Sequence, residues 1–294
     1  MAEPKITVVG SINMDLVIGT DRIPRQGETI IGSGYSTFPG GKGANQAVAA
    51  ARLGGYMTMI GAVGNDSFGK ELLRNLTLNR INTDAVTVYE HEKSGMAFIM
   101  LSKRDNRIIV SPGTNHLVDK HLIKKHHEII SASDVLLLQL EIPLEAVMEA
   151  ATIAKQSGVK VILNPAPYRS LPIELLNQVD YLTPNDQEAE RLLSEIDDPS
   201  KIEDKLVVTK GKQGVNMFDH KKCITIPGYD VEVEDTTGAG DTFNGAFAYW
   251  IAKGDSLEMA CHKANAAAAL SVTKKGAQSG MPTMQQLDNF LANN

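Results

Sequence analysis

Short apolar runs alternate with helical patterns along almost the whole chain, and this order limits the fold more than any other feature. "KITVVG", "YMTMIGAVG", "SDVLLLQL", "VKVILNP", "VDYLTPN" and "KLVVTKG" are the strand-like runs. Between them lie helix patterns. "GANQAVAAARLG" runs from Gly43 to Gly54 and is closed by glycine. "SFGKELLRNLTLNR" starts at Ser67, which suits a cap, while "PLEAVMEAATIAKQSG" and "DQEAERLLSEI" carry Pro or an acid in the first turn. Strands that are apolar on both sides need cover on both faces. The expected fold is α/β: a central, mostly parallel β-sheet flanked by helices on both faces. Thr242 to Phe290 reads as mainly helical.

Two stretches break this order. Residues 15–37 and 94–111 alternate like exposed strands, with Ile18, Ile30, Phe98 and Met100 among the apolar positions and a hairpin turn at Arg104 to Asn106. They predict a small β-sheet lid whose apolar face covers a ligand site or another subunit. No Pro-, Gly- or Ser-rich linker and no internal repeat interrupts residues 1–294, so one domain with a lid is expected.

A formal net charge of -6 without a basic block argues against a nucleic-acid partner. No apolar run approaches the roughly 20 residues that span a bilayer. The start, Met1 to Val9, enters a strand pattern at once rather than a signal-peptide pattern, and a cytoplasmic protein without a membrane partner is expected. Cys223 and Cys261 form no CxxC pair and read as reduced, mostly buried thiols. His121, His126 and His127 lie among lysines on an amphipathic helix pattern, better explained by a solvated face than by a metal site.

Open parallel sheets bind ligands beyond the carboxyl ends of their strands. Asn13 and Asp15, Glu141, Asn164, Asn185 and the stretch "TKGKQG" all follow strand runs. Any one of them could instead be a turn former or a helix cap. "PGGKGANQA", from Pro39, is a glycine loop leading into a helix, where Lys42 and Asn45 add directional hydrogen bonds. It is not a Walker A loop, since Gly43 rather than Ser or Thr follows Lys42 and Ser36 stands where the first glycine would be. A dinucleotide-binding fingerprint is also missing: "GSINMD" supplies only Gly10 after the first strand.

"DTTGAGDTFNGA", from Asp235, sets two acids about a glycine turn at the start of a helix. N–H groups of Gly238, Ala239 and Gly240 at the positive end of the helix would make an anion site suited to a phosphoryl group in transfer. Asp241 could be a plain N-cap. A cap, however, explains neither the Gly-Ala-Gly turn nor Asp235. A carboxylate beside an anion site can accept a hydroxyl proton as its oxygen attacks phosphorus. On this reading Asp241 serves the proton, and Asp235 holds the loop or an ion.

"DTTGAGDTFNGA" together with "GGKGANQA" resembles the two motifs of the ribokinase-like (PfkB) family of carbohydrate kinases, and the resemblance covers essentially the whole chain. "GSINMDL", "GGKGANQ", "LNPAP" and "TKKGAQSG" are most similar to its ribose-phosphorylating members. The resemblance implies ATP-dependent phosphorylation of D-ribose at the 5-hydroxyl, with Mg2+, and a homodimer formed through the lid. It assigns Asn13, Met14, Asp15, Gly41, Lys42, Gly43, Ala44, Asn45 and Glu141 to the sugar. Asp241 becomes the base, and Gly238, Ala239 and Gly240 the anion hole. ATP falls to Asn185, Thr209, Lys210, Gly211, Lys212, Gln213, Gly214 and Asn265, with Gly240 and Asp241 at its phosphate end. A monovalent cation, potassium, falls to Asp235, Thr237, Ser271, Lys274, Gly276 and Gly280. Two alternatives stay open: a kinase of the same family for fructose, 2-deoxyribose or a nucleoside such as pseudouridine, and a non-catalytic sensor on the same fold. The polar set Asn13, Asp15 and Asn45 favours a polyhydroxylated sugar, and an intact Asp241 favours catalysis.

Overall fold

The computed structural model describes residues 3–102, 105–219 and 222–294. In chain order its strands are β1 (Lys5–Val9), β2 (Asn13–Thr20), β3 (Tyr35–Gly40), β4 (Tyr56–Gly64), β5 (Val86–Tyr89), β6 (Gly95–Ser102) and β7 (Asp105–Ser111). There follow β8 (Val135–Leu138), β9 (Lys160–Leu163), β10 (Tyr181–Leu182), β11 (Val207–Thr209), β12 (Val215–Asp219) and β13 (Lys222–Ile226).

The central sheet has the order β10-β9-β8-β1-β4-β5, and all its pairings are parallel. Beyond their first residues β1, β4, β8 and β9 are buried on both sides, as a sheet covered on both faces requires. Ile6 and Val8 of β1 and Val135 and Leu137 of β8 pack under the helices Lys42–Arg52, Ala239–Ala252 and Leu257–Ser271. Val9, Leu136 and Leu138 point the other way, into a second core shared with the helices Leu144–Gln156, Ile173–Gln178 and Asp186–Ser194. Bridges Leu182↔Leu206 and Asn185↔Thr209 join the antiparallel sheet β11-β12-β13 to the β10 edge.

The interrupting stretches pair with each other as a separate sheet, β3-β2-β6-β7, in which β2 and β6 run parallel and the outer pairs antiparallel. The pairing Asp15↔Ala97↔Val110 puts Phe38, Ile99 and Ile108 on the face that carries Asp15. Leu16, Phe98, Ile109 and Tyr35 share the opposite face. Both faces therefore expose apolar side chains, Ile109 and Tyr35 on one and Ile108 and Val110 on the other. Arg104, in the expected turn, lies outside the described residues, as does Met1.

Several local expectations need correction. The helix Ser67–Leu78 is capped by Asp66, not Ser67; the Asp66 carboxylate accepts from Gly69 N and also from Ser94, so one acid serves two segments. The glycine-loop helix starts one residue early, at Lys42, and ends at Arg52. The histidine-rich pattern is two short helices, Lys120–Lys125 and His127–Ser131, broken at His126. His121 and His127 are exposed. Cys261 is buried, but Cys223 is exposed, because β13 is the outer strand of its sheet. Among the described residues no helix is long and apolar enough to cross a membrane.

Candidate active site

The central sheet reverses its strand order at β1, which has β4 on one side and β8 on the other. Ligand sites in such sheets lie at this switch, beyond the carboxyl ends. Ser11–Asn13 follow β1 there, Gln139–Glu141 follow β8, Asn164 follows β9 and Thr183–Asn185 follow β10.

Glycines let two helices reach this point. Gly41 has a φ of 88°, and a Cβ on Gly43 would stand 2.7 Å from the carbonyl carbon of Gly10. The N-terminus of the helix Lys42–Arg52 thus abuts the end of β1, with Ala44 N donating to Ser11 O at 3.0 Å. The helix Ala239–Ala252 lies against it at Gly245, where a Cβ would meet Gln46 O and Ala49. Gly238, left-handed at φ 77°, turns the chain into this second helix.

Asp241 is therefore the third helical residue and not the N-cap. Its Oδ2 accepts from Asn45 Nδ2 at 2.9 Å and its Oδ1 from Gln46 Nε2 at 3.1 Å. Those amides are themselves held. Gln139 Nε2 donates to Gln46 Oε1 at 2.6 Å, and Gln278 Nε2 to Asn45 Oδ1 at 2.9 Å. At the helix start Ala239 N donates to Thr236 O at 3.2 Å, while Gly238, Gly240 and Asp241 line a pocket with Lys42, Asn164, Thr183, Asn185, Glu188, Thr209 and Asn244.

Charge is concentrated around Lys42. Burial disfavours its ammonium, but Asp241, Glu141, Glu188 and Asp15 outweigh that and hold its pKa above the usual lysine value. Burial, with repulsion from Glu141 and Asp241, pushes Asp15 up to about 7 against the opposing pull of Lys42. Glu188 is likewise raised, mainly by burial. Glu141 faces the loop: its Oε2 accepts from Ser11 Oγ at 2.5 Å and from Lys42 N at 3.2 Å. Asn13 is buried beside Asn115. Met14 points away from Asp15 into the core, and Ala44 is packed in the same core, so only their backbone borders the loop.

The raised Asp15 value gives the expectation that this residue binds a sugar a test of its own. Hydroxyls donate best to the ionised carboxylate. Below pH 7 the free protein holds Asp15 mostly protonated, so the apparent KM for sugar should rise about tenfold per pH unit on the acid side. It should level off above pH 7. A sugar KM flat between pH 5.5 and 8 would contradict this role for Asp15.

On the pocket's other side Asn185 forms a capping box with Glu188, accepting from Glu188 N while Glu188 Oε2 accepts from Asn185 N, each at 2.9 Å. The cap is made, yet both side chains also line the pocket. Thr209 N donates to Pro184 O at 3.0 Å, and Lys210 Nζ lies 3.5 Å from Asp186 Oδ1. Gly211–Gln213 is a single exposed turn closed by Gly214, and Asn265 Nδ2 donates to Pro227 O at 2.8 Å. Gly214 packs against Pro227, so Asn265 is tied to the same turn.

The set expected to hold a cation is also gathered. Asp235 Oδ1 accepts from Thr237 N at 2.9 Å and Oδ2 from Gly276 N at 2.8 Å, joining two loops. Burial opposes its charge, but these bonds outweigh it and keep the carboxyl below its usual value. Gly280 packs on Ser271 O, whereas Lys274 is exposed.

Gln46, Thr183, Glu188, Asn244, Asn115 and Gln278 were not singled out by sequence reasoning. Gln46 had a signal, since it stands inside the quoted glycine-loop motif. Glu188 reads locally as half of a capping box. Asn244 and Gln278 likewise stand inside the quoted "DTTGAGDTFNGA" and "TKKGAQSG", whereas Thr183 and Asn115 are placed by long-range contacts, such as the Thr183 Oγ1 to Asn244 Oδ1 bond.

The pattern of the pfkB family of carbohydrate kinases matches residues 3–284. The chain belongs to this family. The kinase is 44% identical to a ribokinase of Bacillus subtilis over 290 residues, covering 98% of this chain and 99% of that one. It is 35% identical to a deoxyribokinase of Salmonella typhi over 303 residues, covering 98% and 99%. A solved Arabidopsis thaliana ribokinase complexed with ribose and ATP superposes on the kinase with a TM-score of 0.90 at 33% identity, covering 99% of each chain.

Proposed function

We propose that the kinase is a ribokinase, moving the γ-phosphoryl group of ATP to the 5-hydroxyl of D-ribose to give ribose 5-phosphate and ADP. The observation that carries this reading is Asp241, clamped by Asn45 and Gln46 at a helix N-terminus beside Lys42. Asn13, Asp15, Lys42, Asn45 and Glu141 hold the sugar hydroxyls. Asp241 takes the proton of the 5-hydroxyl, whose oxygen bonds to the γ-phosphorus as the bond to the ADP oxygen breaks. The amides of Gly240 and Asp241 at the helix N-terminus, with Lys42, offset the charge on the moving group. ATP lies along Asn185, Thr209–Gly214 and Asn265, and the whole chain acts as one domain.

Two ions complete this reading. Glu188 and Asp241 are the acids lining the pocket, which fits a magnesium ion held chiefly by phosphate oxygens. Magnesium would neutralise charge on the phosphates. A potassium ion is placed at the loops joined by Asp235, whose carboxyl is held below its usual value and so keeps its charge. Activity should therefore rise several-fold when potassium replaces a large organic cation at fixed ionic strength, and Asp235→Ala should blunt the rise. Equal wild-type rates in the two salts would remove the ion from the account.

The lid supports a homodimer, because a four-stranded sheet with apolar side chains exposed on both faces is short of packing partners. Ile108→Glu with Ile109→Glu puts a charge on each face, and in an isologous contact each is met twice. The double variant should sediment as a monomer and show a higher sugar KM. A wild-type protein that is already monomeric at micromolar concentration would contradict the dimer.

ADP release measured across D-ribose, 2-deoxyribose, fructose, adenosine and pseudouridine tests the specificity. D-ribose should give the highest kcat/KM. A clear preference for 2-deoxyribose or a nucleoside would replace ribokinase with another kinase of the family, and no turnover with any would favour a sensor.

A further inference from the structure

The lid and the sugar site meet at Asn115, which follows β7 in the single turn Gly113–Leu117 and is 1% exposed. Its amide completes the backbone where β1 gives way to β2. Asn115 Oδ1 accepts from Ile12 N at 2.9 Å, and Nδ2 donates to Ile12 O at 3.3 Å, as a neighbouring strand would. The second Nδ2 hydrogen goes to Asn13 Oδ1 at 2.7 Å. All three hydrogen-bonding positions used here fix one orientation of the Asn115 side chain, since turning it over would set oxygen against oxygen at Ile12 and Asn13.

The same bond fixes Asn13. With its oxygen turned to Asn115, its Nδ2 points elsewhere, and no described residue accepts from it. Asn13 shares a face of β2 with Asp15 and pairs with Gly40 of β3 and Gly95 of β6. There is no room for slack: a Cβ on Gly95 would collide with both Asn115 Nδ2 and Asn13 Oδ1. The turn is tied down on its far side, with Thr114 N donating to Lys93 O at 2.8 Å and Thr114 Oγ1 to Ala62 O at 3.1 Å.

We propose that Asn115 is a positioning residue for the sugar site, holding the Asn13 amide so that its Nδ2 donor faces the sugar and tying that orientation to the root of the lid. This rests on the reading above that Asn13 touches the sugar. Asn13 then presents a donor and Asp15 an acceptor side by side. Losing Asn115 lets the Asn13 amide turn over and offer oxygen where the sugar needs a donor.

A double-mutant cycle reads this directly. Apparent KM for D-ribose and for ATP, kcat and Tm are measured for wild type, Asn13→Ala, Asn115→Ala and the double variant. Asn115→Ala should raise the sugar KM by about tenfold while moving the ATP KM by less than about twofold. Added to Asn13→Ala, it should change the sugar KM by less than about twofold, because its effect passes through Asn13. If Asn115→Ala does not fold, Asn115→Asp takes its place, keeping the acceptor for Ile12 N but setting an oxygen against Asn13 Oδ1. A lower Tm with the wild-type sugar KM, or penalties that multiply in the double variant, would overturn the proposal. An Asn13→Ala variant with wild-type sugar KM would overturn it too, together with the sugar-site reading beneath it. Wild-type protein that does not turn over D-ribose would contradict the proposed function instead, and the cycle would be read with the sugar that is turned over.

Discussion

Asp241→Asn should lower kcat by about two to four orders of magnitude while sugar and ATP affinities stay within a few-fold of wild type. The substitution keeps size and shape but removes the proton acceptor. The surroundings make it harsher than a plain loss of charge. Both Asp241 oxygens accept from side-chain NH2 groups, of Asn45 and of Gln46, and an asparagine must set its own NH2 against one of them. Neither amide can yield easily, because Gln139 and Gln278 hold them from behind. Steady-state kinetics with calorimetric binding separates the two outcomes. Near wild-type turnover would make the acid structural, whereas lost binding would mean that it holds substrate rather than a proton.

Asp15→Ala should raise the sugar KM by roughly 10- to 150-fold, the equivalent of about 1.5–3 kcal/mol for a hydrogen bond to a charged group. The ATP KM should change little, since the side proposed for the nucleotide, along Asn185 and Thr209, does not include Asp15. The acid-side dependence of sugar KM should vanish in the same variant, because the titrating group that causes it is gone. Helix content in circular dichroism should be unaltered, as Asp15 is half-buried on a lid strand and packs in neither core. An unchanged sugar KM would remove Asp15 from the site.

The layered sheet was legible because its strands, such as "VVG" after Thr7 and "VLLL" from Val135, are apolar on both sides. The lid was legible from its different period. Helix starts were less so: Asp66 and Ser67 are both good caps, and only the contact of Asp66 with Ser94 decides between them. At the site, residues within the two glycine motifs could be located, since a turn into a helix marks its own free N–H groups. The residues that hold the Asn45 and Gln46 amides from behind could not. Gln139 and Gln278 reach the amides they hold across 93 and 233 positions of sequence; one ends an apolar strand run and the other stands inside "TKKGAQSG", but neither stretch shows which side chain it meets. Asn115 was hidden for the same reason.

In the proposed reaction a phosphoryl group moves from ATP to the 5-hydroxyl of D-ribose with Asp241 as base. Phosphorus NMR of purified protein mixed with ATP, magnesium, potassium and D-ribose reads it directly. A new phosphomonoester signal is expected, split by the two C5 protons and growing in step with ADP, and almost absent with Asp241→Asn at equal protein. A phosphate on another ribose oxygen, ADP formed with inorganic phosphate alone, or an undiminished signal from Asp241→Asn would contradict it.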